Sequence, residues 1–242
     1  MRPLVIPARF NGPPGSANGG YAAGVLARAA RPATGWDGEV TVRLRQPPPL
    51  ERPLAPTVVD GTVELRDAEK TVAVAYDYGP EAWTDPEPVA LATARGAESR
   101  YAGARSHPFP TCFSCGPARE AGDGLRIFPG RVDGDRVAAT WTPLAGLDGP
   151  IGDVDEPVTW AALDCVGAWS SDLEHRPLVL GEVSARVVSP PSLGATYVVV
   201  GTHLRTEGRK TWTATAMFDE DGSVVGQAEQ LWIAVDWARS VS

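Results

Sequence analysis

The strongest constraint on the fold is that the chain repeats itself. EVTVRLRQPPP, from Glu39 to Pro49, aligns without gaps on EVSARVVSPPS, from Glu182 to Ser192. Glu39 falls on Glu182, Val40 on Val183, Arg43 on Arg186, and the pair Pro47 and Pro48 on Pro190 and Pro191. Two further blocks follow in the same order at a nearly constant offset: Gly61 and Thr62 on Gly201 and Thr202, then AEKTVAVA around Lys70 on GRKTWTATA around Lys210. Ordered matches of this kind point to a duplicated unit, and a duplication sets the architecture in one step. The 242 residues then divide into two units of ordinary domain size. Periodicity lapses and small and polar residues accumulate between Ala97 and Pro110, which places the halves at 1–100 and 101–242.

Both copies follow the same grammar. In the first, GGYAAGVLARAA, Gly19 to Ala30, is rich in helix formers and lies between the breaker-rich GPPGSAN and RPATG, so it reads as one short helix. The runs VTVRLRQ, PTVVDGTVELRD, KTVAVAYDY and VALATARG are alternating or β-branched and predict strands. The second copy opens with a strand pair around LRIFPGRVDGDRVAATW and passes through a Gly/Pro/Asp loop to the helix EPVTWAALDCVGAWSSDLE. The strands LGEVSARVVS, ATYVVVGTHLRT, KTWTATAMFDEDG and SVVGQAEQLWIAVD follow. Proline cannot donate to a ladder, so the Pro pairs end strands, and FDEDGS is a hairpin turn with Gly222 at positive φ. Ala and Gly dominate both helices, which lets each sit close against a curved sheet. The expected class is α+β, one helix followed by four antiparallel strands, twice.

Composition narrows the partners. A chain with 43% hydrophobic and 21% charged residues folds as an ordinary globular protein. No run approaches the roughly 18 apolar residues of a membrane span, and MRPLVIPARF lacks the form of a signal peptide, so a cytoplasmic protein with no membrane partner is expected. A formal charge of −8 without a Lys/Arg block argues against nucleic acid. A small anionic substrate could still meet a local basic patch around Arg43, Arg45, Arg186 or Arg209.

FNGPPGSANGGYAAGVLARAA, followed by a strand ending in PPP, resembles the N-terminal half of the double-hotdog acyl-CoA thioesterases of type II. GRKTWTATAMFDEDGSVVGQAEQLWIAV resembles their C-terminal half, whose last strands carry a glutamine at the position of Gln230. CFSCGPAREAGDGLRIFPG, Cys112 to Gly130, is similar to the opening of single-hotdog thioesterases of the phenylacetate-pathway type. The resemblance covers most of the chain. It implies a double hotdog, two tandem repeats of an antiparallel sheet wrapped around a helix, acting on an acyl-CoA or acyl-carrier thioester without a cofactor. A homodimer of double hotdogs is an assembly it allows.

In the single-hotdog enzymes a His-Gly-Gly opens the helix and a carboxylate lies further along it. Asn18-Gly19-Gly20 stands at the first position in the N-terminal half, with Ala27 in place of the carboxylate. Asp164 occupies the carboxylate position in the C-terminal half, with Asp155-Glu156-Pro157 in place of His-Gly-Gly. Thioester hydrolysis needs donors where charge develops on the carbonyl oxygen, which free N–H groups at a helix N-terminus supply, and a carboxylate to activate water or attack directly. Along one helix the two parts would stand roughly 12–14 Å apart at 1.5 Å per residue, so the donors must come from the other helix. Asp164, Asn18, Gly19, Gly20 and Gln230 are the candidate catalytic residues. Asn and Gly are equally common at a plain helix N-cap, a lone acid usually faces solvent, and Gln230 in an alternating strand could do the same.

Cys112 and Cys115 provide two thiolates, half a tetrahedral site. His107 is near and Cys165 remote in sequence, so no metal is expected and reduced thiols in a tight turn are. Trp160, Trp169, Trp212 and Trp232 read as core or seam residues, some of which could line an acyl tunnel. No G-x-S-x-G is present, which removes a serine hydrolase. Two rivals stand beside the thioesterase: a hydratase or dehydratase on the same fold, which would usually present a helical histidine, and a catalytically silent acyl-thioester binding protein.

Overall fold

The computed structural model describes residues 1–147, 149 and 152–236; residues 237–242, the end of the expected C-terminal half, lie outside it. Ten strands form one antiparallel sheet: β1 Val40–Leu44, β2 Ala55–Val59, β3 Thr62–Asp67, β4 Lys70–Tyr76, β5 Gly130–Asp133, β6 Arg136–Trp141, β7 Leu178–Val187, β8 Tyr197–Glu207, β9 Lys210–Phe218 and β10 Val224–Ala234. Their order across the sheet is β2-β3-β4-β1-β7-β10-β9-β8-β6-β5. Helices α1 Gly19–Thr34 and α3 Glu156–Ser170 pack against each other; α1 lies over β1 to β4 and α3 over β6 to β10. Neither is a surface helix. Leu26, Ala27 and Ala30 of α1 and Trp160, Ala161, Ala162 and Leu163 of α3 are buried, so each helix fills the inside of its part of the sheet.

Small residues permit this. A Cβ built on Gly20 would lie 2.6 Å from Asp164 Cβ and 2.7 Å from the Trp160 carbonyl oxygen, and one on Gly24 would lie 2.7 Å from Pro157 Cα. The two helices therefore meet backbone to backbone, a separation only glycine allows. Asn18 starts α1 by accepting the Tyr21 N–H on its Oδ1 at 2.8 Å, and Gly35, left-handed at φ 79°, ends it by donating to the Arg31 carbonyl.

The two parts of the sheet join at β1 and β7, where Val40 faces Ala185, Thr41 faces Ser184, Val42 faces Val183 and Arg43 faces Glu182. The Thr41 hydroxyl donates to the Tyr78 carbonyl at 2.7 Å, so the Ser184 hydroxyl must donate to Thr41 across their 2.6 Å separation. Ion pairs flank this centre on both sides, Arg43 with Glu182 and Arg186 with Glu39.

Two expectations about elements need correction. VALATARG is not a strand: Leu91–Ala97 is helix α2, with Ala94 and Ala97 buried against the β5–β6 hairpin. Alanine's helix propensity prevails over an apparent alternation that has no sheet partner. PTVVDGTVELRD is two strands, β2 and β3, because Asp60 and Gly61 both take positive φ, 46° and 77°, and turn the chain back on itself. The aligned Gly201 does something else: it lies inside β8, where a Cβ would come within 2.5 Å of the Val166 carbonyl oxygen on α3. No helix among the described residues is long and apolar enough to cross a membrane.

Candidate active site

Asp164 sits at the middle of α3 and is buried. Its Oδ2 accepts from two groups of α1, the Asn18 side-chain amide at 2.8 Å and the Gly20 backbone N–H at 3.0 Å. The structure thus brings Asn18, Gly19, Gly20 and Asp164 together from residues far apart in the chain. Both ends of the Asn18 amide are used: Oδ1 caps its own helix and Nδ2 holds the carboxylate. Oδ1 of Asp164, also buried, has no hydrogen-bond partner among the described residues. Burial pushes the Asp164 carboxyl up to about 7, with the charge of Cys112 adding to the rise and the Gly20 N–H and Asn18 amide opposing it.

The expected role of Gly20 is corrected here. Its N–H is directed to Asp164 Oδ2 and is not free to meet a substrate, because the tight helix crossing puts the carboxylate directly on it. The Gly19 N–H has no acceptor among the described residues, and Gly19 lines the cavity, so it is the open donor of this helix N-terminus.

Asn18, Gly19 and Asp164 line a cavity of ≈ 450 Å³ whose walls include Leu44, Phe109, Leu178, Leu180, Trp232 and Ile233. Arg45 stands exposed on its lining, the one member of the expected basic patch to do so; Arg43 and Arg186 are engaged with Glu182 and Glu39, and Arg209 donates to the Ala234 carbonyl. A second hollow, ≈ 680 Å³, lies at the far end of α3 beside Ser170 and Ser171. Its Arg131 and Arg176 donate to backbone carbonyls.

Gln230 is buried and does not line the cavity. Its Nε2 donates to Thr215 Oγ1 at 2.8 Å and the Leu163 carbonyl at 3.0 Å, and its Oε1 accepts from Thr213 Oγ1 at 2.8 Å. Thr213 accepts in turn from the Trp232 indole N–H at 2.8 Å. The glutamine therefore ties the cavity wall to the backbone of α3 one residue before Asp164. Of the other tryptophans, Trp160 and Trp169 are buried, whereas Trp212 is half-exposed under the Arg205 guanidinium.

The remoteness assigned to Cys165 in sequence does not survive folding. Cys112 and Cys165 sulfurs are 3.6 Å apart, and the three cysteine sulfurs all lie within 4.8 Å of one another. Hydrogen bonds from the Cys115 and Cys165 thiols hold the Cys112 thiol well below its ordinary range, while burial pushes Cys115 up. Cys165 follows the carboxylate position directly, and that adjacency is the signal in the sequence that could have linked it to the turn at Cys112.

The corresponding N-terminus of α3 carries ion pairs. Asp155, at its N-cap, pairs with Arg28, and Glu156 pairs with Arg31 at 2.6 Å. Pro157 has no N–H, and Ala27 is fully buried opposite.

No protein-family model and no curated protein sequence matches the chain. Solved structures do. The tesB protein of Mycobacterium avium subs paratuberculosis superposes with a TM-score of 0.60 at 15% identity, over 96% of this chain and 91% of that one. The fold is the hotdog fold. A thioesterase superfamily protein at 24% identity matches over 46% of this chain and 54% of its own length, about half of that protein, with a TM-score of 0.42. The E. coli PaaI protein from the phenylacetic acid degradation operon, at 10% identity, matches over 59% of this chain and 96% of its own, with a TM-score of 0.46. Within the hotdog fold of this chain, the helices that the sheet wraps are α1 and α3, and Asp164 lies where they cross.

Proposed function

We propose that the chain is a double hotdog of two fused repeats and hydrolyses an acyl-CoA or acyl-carrier thioester at a single composite site between them. The register of β1 on β7 supports the duplication. Exchanging each residue for its repeat counterpart turns the pair Val40 and Ala185 into Val183 and Val42, which is also a pair, and turns Arg43 with Glu182 into Arg186 with Glu39. The implied axis runs through Thr41 and Ser184.

The observation that carries the reaction is the buried carboxylate of Asp164, a residue lining an apolar cavity, held by one oxygen to the opposite helix N-terminus with its other oxygen unpaired among the described residues. The thioester carbonyl oxygen would accept from the Gly19 N–H, reinforced by the helix dipole. Asp164 Oδ1 takes a proton from water as the water oxygen bonds to the carbonyl carbon. The tetrahedral intermediate collapses with cleavage of the C–S bond, and the departing thiolate takes up the proton. The apolar walls suit the acyl chain, and Arg45 at the rim suits the phosphates of a coenzyme A carrier.

A screen of acyl-CoA chain lengths read by release of free thiol tests this. Turnover of at least one chain length is expected, and Asp164→Asn should lower it by about 10²–10⁴-fold with the melting temperature retained, since the amide is nearly isosteric and can accept the same two donors. An Asp164→Asn protein with unchanged melting temperature and full turnover would remove Asp164 from the mechanism. Binding of acyl-CoA without turnover by the native chain would make it a binding protein.

A further inference from the structure

We infer that Cys112, Cys115 and Cys165 form a binding site for a thiophilic divalent ion, zinc above all, with its fourth coordination position toward the cavity. The thiols come from two separate parts of the fold, a turn after the 3-10 segment near Arg105 and the helix α3, yet their sulfurs converge to within 4.8 Å of one another. A tetrahedral site with Zn–S bonds of about 2.3 Å has sulfur-to-sulfur edges of about 3.8 Å. The Cys112 to Cys165 separation of 3.6 Å is already close to that edge.

Polar groups surround the sulfurs, and the turn that carries two of them is tight. Gly116 closes the turn by donating to the Cys112 carbonyl at 2.9 Å. The Asn18 amide nitrogen lies 3.8 Å from both the Cys112 and the Cys165 sulfurs. His107 approaches Cys115 with Nε2 at 3.4 Å, while its Nδ1 accepts the Phe109 N–H at 2.9 Å. A neutral imidazole whose Nδ1 accepts carries its proton on Nε2, so His107 donates to the Cys115 sulfur and is not the fourth ligand. All three cysteines line the same cavity as Asp164, which leaves the remaining position to solvent. Three soft donors select zinc over magnesium or calcium. Binding releases the thiol protons to solvent and needs no redox partner.

The test does not depend on the reaction. Native protein purified anaerobically with a phosphine reductant is measured for metal by inductively coupled plasma mass spectrometry, and about one zinc ion per chain is expected. Metal-free protein titrated with cobalt(II) should develop a thiolate-to-cobalt charge-transfer band with the intense visible bands of a tetrahedral site, lost on adding zinc. Cys165→Ser should weaken zinc by at least about 10–100-fold. The native chain serves as its own control if that variant fails to fold. Reduced native protein that retains no zinc and gives no charge-transfer band with cobalt would overturn the site. So would a native chain that carries a Cys112 to Cys165 disulfide after anaerobic reduction.

Discussion

Gln230 shows how a residue can belong to a site without touching its chemistry. It matched the resemblance, and folding turned it inward, where it links Trp232, through Thr213, to the Leu163 carbonyl. Gln230→Leu should cost about 1–3 kcal/mol, because Thr213 loses its buried acceptor and Thr215 a donor. Urea denaturation measures that loss. Thioesterase kcat, read on the folded fraction, should stay within a few-fold of native; a large fall in kcat with stability intact would place the glutamine in the reaction. The burial of Asp164, by contrast, was partly legible, since the apolar stretch WAALDCVGAW around it makes a buried or cleft position commoner than for an acid on a polar helix. The identity of its partners was legible only as a geometric requirement, that the donors come from another helix. The commitment of the Gly20 N–H to the carboxylate was not, because it depends on a helix separation of atomic closeness.

At the scale of elements, the crossing of α1 and α3 sets the site. Gly24 lies one turn beyond Gly20 on the same face and meets Pro157 and Trp160. Gly24→Leu adds a side chain where even a Cβ has 2.7 Å to the nearest backbone atom, so the helices must part. The expected cost is about 1–3 kcal/mol or more from overpacking, with activity falling further than stability as Asp164 is drawn from Asn18 and Gly20. Thermal unfolding and turnover measured on the same preparation separate the two effects, and unchanged values for both would refute the close contact. Helix α2 was misread as a strand because period alone does not distinguish a short Ala-rich run; what decided it was the absence of a ladder partner and the burial of Ala94 and Ala97 on the β5–β6 hairpin.

For the whole molecule, the two ends of the helix pair are unequal. The second end has no carboxylate at Ala27, has at Pro157 no counterpart of the N–H that Gly20 gives to Asp164, and carries the Arg28 to Asp155 ion pair at its N-cap. Calorimetric titration with a non-hydrolysable acyl-CoA thioether should therefore give about one site per chain, and Ala27→Asp should add neither a second site nor activity. Two equivalents per native chain would contradict the asymmetry. Helices α1 and α3, most of the strand patterns and the matched blocks could be read from the chain by itself, because periodicity and breakers are local. Which residues touch was decided only by the tertiary structure. Cys165 against Cys112, Arg28 on Asp155 and the Gly20 N–H on Asp164 all follow from two helices packed through glycine inside one continuous sheet, and contacts between segments more than fifty residues apart have no period for a sequence to display.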